Sequence, residues 1–301
     1  MSQQILRTVG DPAKRFTEDA LRILRGVRFA VRYDLTPEAK TEAAMLGMTE
    51  QMENLARERV FDELCKLLPT VGAEDLIRFA PVIVQVIPEL AQTVGFDQHS
   101  MHHAYDVYTH TARVVQAVPA TLPLRWAALL HDVGKPQTFT RDKKGEGHFP
   151  EHSQVGADMA NQILLRLKAP NALREQVAFQ VEAHMLPLPP DKKVLRRRVS
   201  KFGRENIQNL LHLQMADRLS TGVHTDITEL KQAQALLEEI RQEGSCLQIK
   251  DLAIDGTTLV KLGMKPGPQM GKTLSRLLDL VLNEQIPNEA NALSEEAKKD
   301  I

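Results

Sequence analysis

Trp126-Ala127-Ala128-Leu129-Leu130-His131-Asp132-Val133-Gly134-Lys135-Pro136 is the stretch on which the reading of this chain turns. Five apolar residues in succession predict a helical segment buried on every side, and two adjacent metal-binding side chains close it. Successive side chains point about 100° apart on a helix, so an ion beside the helix end meets both His131 and Asp132. Donors of the same kind lie outward in both directions: His110 upstream, and His152, His184 and Asp217 downstream.

The frame around this stretch reads as helical. With 301 residues the chain can bury more than one core, since domains usually run to about 100–200 residues. Aromatic residues make up only 4%, leucine and alanine are plentiful and β-branched runs are short, which predicts an all-α, multi-domain helical array with the histidine-bearing bundle at its centre. A net charge of −1 excludes a uniformly basic nucleic-acid binder but not local basic faces. Cys65 and Cys246 have no paired spacing, which points to a reducing compartment without disulfides. No stretch approaches the ~20 apolar residues of a membrane span and the N-terminus lacks a signal pattern, so a cytoplasmic protein without membrane contact is expected.

Local signals place the elements. Thr17 is expected to cap a first helix with Ala20, Ile23, Leu24, Val27, Ala30 and Val31 on its buried face. Thr36-Pro37-Glu38 begins a second, and Arg57 to Leu68 forms another. Asp142 to Gly147 reads as a polar loop, Asp226 to Glu243 as a charged helix and Leu274 to Leu282 as an amphipathic one, while the last dozen residues read as disordered by composition. Three segments are expected: 1–95, 96–224 and 225–301.

Imidazole and carboxylate donors together suit a borderline divalent ion such as Mg, Mn, Ni, Fe or Co, and such ions serve phosphate-ester hydrolysis. His110, His131, Asp132 and Asp217 are expected to hold one ion. His152 and His184 would hold a second, with Asp132 bridging and Lys135 contacting substrate phosphate. His103, His148 and His212, taken singly, read as unrelated side chains. The order H…HD…H…H…D, with HD set between an aliphatic helix and Gly-Lys-Pro, resembles the HD phosphohydrolase superfamily over Tyr105 to Thr221. The resemblance implies that His110, His131, Asp132 and Asp217 are the defining ligands and that His152 and His184 serve a second ion.

Asp19 and Arg22, three residues apart, are expected on one helix face. That pair is either a surface ion pair or a reader of the amino and ring-nitrogen edge that cytosine and adenine share. Arg25 and Arg28 extend a basic side suited to phosphates. The string Val9 to Arg25, with Glu18-Asp19-Ala20-Leu21-Arg22, resembles the neck of bacterial class II CCA tRNA nucleotidyltransferases. Arg57-Glu58-Arg59-Val60-Phe61-Asp62-Glu63-Leu64 is similar to the next neck motif, and Lys250-Asp251-Leu252 with Lys265-Pro266-Gly267-Pro268 to the tail. This implies tRNA as partner, and CTP and ATP templated by Asp19 and Arg22.

Family members also carry a head domain with a Gly-Gly-x-x-Arg loop and an Asp-x-Asp pair, and neither occurs in these 301 residues. CTP and ATP are therefore expected to bind weakly or only with a separate or missing head. The alternatives are a non-catalytic RNA-binding module and a stand-alone nucleotide phosphohydrolase. Lys192, Lys193, Arg196 and Arg197 form a basic cluster that reads either as an acceptor-stem phosphate contact or as a solvated helix start.

Overall fold

The protein is described from a computed structural model, which covers residues 4–101, 104–223 and 225–301; His103 lies outside them. Helices dominate, as composition predicts, and the described strands are four two-residue pieces. None of the described helices is long and apolar enough to cross a membrane. The chain divides into two compact units: Met1–Leu186 with His212–Ile227, and Pro187–Leu211 with Thr228–Ile301.

In the first unit Ile5–Leu6 pairs in parallel with Thr36–Pro37, so the second expected helix starts slightly later, at Ala39–Gly47. The first expected helix is two. Asp11 caps Pro12–Glu18 by accepting from the Lys14 amide, and Thr17 instead donates to the Ala13 carbonyl inside that helix. The break falls where the Asp19 carboxylate takes the amide of Leu21 at 3.2 Å, a local bond that competes with helix continuation. Leu21–Arg32 follows, with Leu21, Ile23, Leu24, Val27 and Ala30 buried as the spacing predicts.

Arg57–Leu67 packs on Leu21–Arg32, and Phe61 stacks on Trp126 at 6.0 Å between ring centres. Residues on either side of position 95 share this unit. Tyr108 donates its hydroxyl to the Leu76 carbonyl at 3.0 Å, and Arg125 donates to that of Val71 at 3.1 Å.

Leu122–Leu130 is the central helix, with every residue from Leu124 to Leu130 buried. Val107–Ala117 and Asn171–Ala183 pack on it, and His152–Arg166 packs on Asn171–Ala183. The polar loop after Phe139 is the turn of a hairpin, Thr140–Arg141 against Gly147–His148.

In the second unit Lys192–Phe202 packs on Thr228–Gln242, and Pro268–Leu282 carries the expected amphipathic stretch. The last residues are not disordered: Ala290–Ala297 is a helix with Leu293 and Ala297 buried. Composition misses this because two buried apolar residues suffice once Arg276 binds Glu296 at 2.7 Å and Asp300 at 3.0 Å. Both cysteines are free thiols.

Candidate metal centre

The Leu122–Leu130 helix ends because its last carbonyls are taken by a tightened turn. The Val133 amide bonds the Leu130 carbonyl at 3.2 Å, and the His131 Nδ1 bonds that of Ala128 at 2.8 Å. A carbonyl only accepts, so Nδ1 carries the proton and Nε2 keeps its lone pair. The same arrangement recurs three more times. His152 Nδ1 bonds the Phe149 carbonyl at 2.8 Å, His184 Nδ1 that of Val181 at 2.6 Å and His110 Nδ1 that of Ser220 at 3.2 Å. Fixing the tautomer and ring in this way is what surrounding groups do for metal-binding histidines.

All four Nε2 atoms face Asp132. One carboxylate oxygen, Oδ2, lies 3.2 Å from His131 Nε2 and 3.7 Å from His110 Nε2. The other, Oδ1, lies 3.7 Å from His152 Nε2 and 3.9 Å from His184 Nε2. Asp217, near the end of the helix Arg204–Leu219, adds its Oδ1 at 2.9 Å from His110 Nε2 and 4.0 Å from His131 Nε2. Two ligands each ~2.1 Å from one ion are ~3–3.5 Å apart at ordinary ligand angles, close to these spacings.

The structure thus brings together all six side chains expected as ligands, in two groups that share Asp132. His131 Nε2 and Asp132 Oδ2 are buried and, despite their proximity, do not meet in hydrogen-bonding geometry. With His110 they form a set of donor atoms within 4.8 Å of one another, as ligands of one ion do. The donor set, four imidazoles and two carboxylates, therefore fits a pair of divalent ions and favours a transition metal over magnesium, which prefers all-oxygen sites.

Charge completes the fit. Burial opposes ionisation of Asp132, but His131, Lys135 and His110 outweigh it and hold the carboxyl well below its usual range. Burial opposes ionisation of Asp217 too, but the adjacent His110 and His131 outweigh it and lower its pKa. Burial disfavours the charged form of His131, yet the Asp132 carboxylate raises its pKa on balance. His184 goes the other way: burial and the neighbouring His131 push it down to about 4, and burial also lowers His152. Both are then neutral at pH 7, the form that binds metal.

This has a measurable consequence for the ion-free protein. A folded pKa of about 4 against the ordinary 6.5 contributes stability that is fully present above pH 6.5 and lost as pH falls toward 4, about 3 kcal/mol from this group. Urea unfolding of His184→Gln and the native chain should therefore show a smaller acid loss in the variant by about that amount. Equal losses would contradict the burial of a neutral ring.

Lys135, expected to contact substrate phosphate, lies between Asp132 and Gln98. The residue is only 6% exposed; its ammonium lies 2.7 Å from Asp132 Oδ2 and donates to Gln98 Oε1 at 2.8 Å. Gln98 and Gly134 carry no chemical signature in the sequence, yet both shape the centre. A Cβ on Gly134 would stand 2.5 Å from the His152 carbonyl oxygen and 2.8 Å from the Gly156 amide, so only glycine lets that helix bring His152 to Asp132. Two other expectations concern side chains away from this point. His148 pairs with Asp142 on the hairpin at 3.4 Å, and His212 lies half-buried elsewhere on the helix that carries Asp217.

Asp19 and Arg22 flank the break between the first two helices rather than sharing one. Asp19 Oδ2 meets Arg59 at 3.1 Å. Arg22 donates to the Arg15 carbonyl at 3.0 Å and to Glu18 at 2.9 Å. Arg28, expected to face phosphates, is turned inward: it is 9% exposed and bonds the buried Glu63 at 2.6 Å, while Arg25 reaches the same carboxylate at 3.3 Å. The sequence spacing that puts Arg28 beside Val27 also puts it under the Arg57–Leu67 helix. Removing Glu63 strands a buried guanidinium, so Glu63→Ala should cost about 3–5 kcal/mol, whereas Arg28→Met with Glu63→Leu should restore most of it. Thermal unfolding of the single and double variants tests this.

The basic cluster in the second unit splits in two. Lys192 and Arg196 are engaged by Glu243, with Glu239 and Glu284 completing the ion pairs. Lys193 and Arg197, one helical turn apart, are exposed on the same helix.

The chain as a whole is similar to known proteins. Residues 152–297 match the family model of tRNA nucleotidyltransferase domain 2, and residues 34–78 match the "Probable RNA and SrmB- binding site of polymerase A". The chain is 33% identical to the A-adding tRNA nucleotidyltransferase of Deinococcus radiodurans, over 97% of this chain and 71% of that protein. It is 34% identical to the CC-adding tRNA nucleotidyltransferase of Thermus thermophilus, over 87% of this chain and 62% of that protein. The fold is similar to that of the Bacillus stearothermophilus CCA-adding enzyme, crystallised with CTP, at a TM-score of 0.61 and 21% identity, over 99% of this chain and 65% of that one. On the strength of the Deinococcus match in particular, the chain belongs to the family of CCA-adding tRNA nucleotidyltransferases.

Proposed function

We propose that this chain is the tRNA-handling part of a cytoplasmic CCA-adding enzyme and carries, within it, a two-metal phosphohydrolase centre of the HD type acting on phosphate esters at RNA ends, 2′,3′-cyclic phosphates among them. The observation that carries the hydrolase half is the Asp132 carboxylate, which presents one oxygen to each group of histidines. Bound ions at such a centre polarise a phosphoryl oxygen and lower the pKa of water. The chain's own residues hold the rest in place. His110, His131 and Asp217 set one side, His152 and His184 the other, and Lys135, braced by Gln98, keeps the shared carboxylate ionised and oriented. Asp217, with 27% of its side chain exposed, marks the solvent side through which an ester would enter.

Nucleotide transfer in this reading belongs to a head domain outside these residues. Asp19 and Arg22 would read the base once Arg59 and Glu18 release them. Among the basic residues, Lys193 and Arg197 are the phosphate contacts, because their neighbours Lys192 and Arg196 are committed to carboxylates. Removing one cation that neutralises a phosphate lowers the slope of log affinity against log salt by about one. The double variant Lys193→Ala with Arg197→Ala should therefore lower the slope for tRNA by about two, measured by filter binding; an unchanged slope would place the RNA elsewhere.

The hydrolase half is tested by phosphate-ester opening on an RNA ending in a 2′,3′-cyclic phosphate, with manganese, nickel or cobalt supplied in turn. Metal-dependent opening, inhibited by deacylated tRNA, is the expected result. Binding of tRNA without opening under any metal would leave a non-catalytic RNA module.

A further inference from the structure

We infer that the hairpin between Phe139 and Phe149 is a platform for the nucleobase that adjoins the reacting phosphate, so the centre selects nucleotide esters over base-free ones. The inference rests on the phosphohydrolase reading above and names the feature that would set its specificity.

An unbroken row of rings leads away from the metal ligands. Phe149 lies edge-on to His152 at 6.4 Å and beside Phe139 at 5.5 Å; Phe139 meets Phe96 at 5.3 Å and His99 at 5.8 Å. The Lys135 ammonium lies over the Phe149 ring, 5.3 Å from its centre, but Phe139 and Phe149 are half-buried rather than buried, so each keeps part of its surface for another partner. The row ends at Arg141, whose guanidinium is 5.7 Å from the Phe139 ring centre and touches the His99 ring. Exposed Arg141, Lys143 and Lys144 outnumber the carboxylates of Asp142 and Glu146 at this edge.

A hairpin with two-residue strands is marginal in water without support, and this one is pinned at its base. The Gly147 amide donates to the His99 carbonyl at 2.8 Å, and a Cβ on Gly147 would stand 2.2 Å from the Gln98 carbonyl oxygen. The side chain of Gln98 is the group that braces Lys135. The turn is fixed as well, since Asp142 accepts from the amides of Lys144 and Glu146. Rings and cations are thereby held at a set place beside His152. Aromatic faces flanked by arginine suit a base of any identity, because every base has a π-face.

The test uses the full chain loaded with manganese and calorimetric titration with the slowly hydrolysed phosphorothioates of adenosine 2′-monophosphate and of methyl phosphate, so the readout is binding rather than turnover. The native protein should prefer the nucleotide by about tenfold or more, the scale of one base–aromatic stack. Arg141→Gln, at an exposed position, and Phe139→Leu should each erode that preference severalfold. Equal affinity for the two probes in the native chain overturns the platform while leaving the hydrolase reading intact, and so does a preference that neither variant alters. Binding of neither probe to fully loaded protein overturns both.

Discussion

Replacing Asp132 by alanine should empty both metal positions at once and lower hydrolysis by about a thousandfold or more, since each ion is expected to supply several kcal/mol of charge stabilisation. Among the described residues, no other side chain faces both histidine groups through separate atoms. A variant of His184 should leave the group around His110 and His131 intact, whereas one of Asp132 removes a ligand from each. Stability falls too. Lys135, buried and 2.7 Å from the lost carboxylate, becomes an uncompensated charge, a change that typically costs about 3–5 kcal/mol. Elemental analysis after dialysis and thermal unfolding read the two effects separately. Retention of a full metal complement by Asp132→Ala would refute the shared carboxylate.

The second large effect is expected from one methyl group. In Gly134→Ala the added Cβ meets backbone on two sides, at 2.5 Å and 2.8 Å, so relief requires the His152–Arg166 helix to retreat. Overpacking of this kind costs about 1–3 kcal/mol. A misplacement of about 1 Å at a reacting centre costs about a hundredfold in rate. His152, already 3.7 Å from Asp132 Oδ1, would move out of reach, while His110, His131 and Asp217 lie on other elements and stay. The variant is thus predicted to hold one ion instead of two and to lose about a hundredfold in hydrolysis, as metal analysis and kinetics on a cyclic-phosphate ester would show. Unchanged stoichiometry and rate would mean that the helix approach is not what places His152.

The contrast between these two residues shows what the chain's letters disclose. The convergence of six candidate donors was legible because the order of imidazoles and carboxylates carries information in a helical, leucine-rich chain, and because His131 and Asp132 sit at the end of an unmistakably buried run. Gly134 sits in the same quoted stretch, but a close approach between backbones leaves no mark except the absence of a side chain. Gln98 was hidden for a related reason: an amide that braces a lysine 37 positions away obeys no local spacing.

Periodicity gave the buried face of Leu21–Arg32 correctly and its beginning wrongly, since the break depends on which amide the Asp19 carboxylate captures. Arg28 shows the limit of reading charge as surface. Its position on a basic stripe suggested phosphates, and only the fold shows Glu63 beneath it. The same holds in the second unit, where Lys192 and Arg196 are spent on carboxylates far away in the sequence while Lys193 and Arg197 remain exposed. At the C-terminus, polar composition concealed a short helix that needs only Leu293, Ala297 and the ion pairs of Arg276.

Electron paramagnetic resonance of the chain loaded with manganese distinguishes a shared carboxylate from separate sites, because two ions sharing one carboxylate interact magnetically and isolated ions do not. The account predicts two manganese ions per chain and a spin-coupled spectrum that reverts to a single uncoupled ion in Gly134→Ala. A native protein that binds one isolated ion, or none, would contradict it.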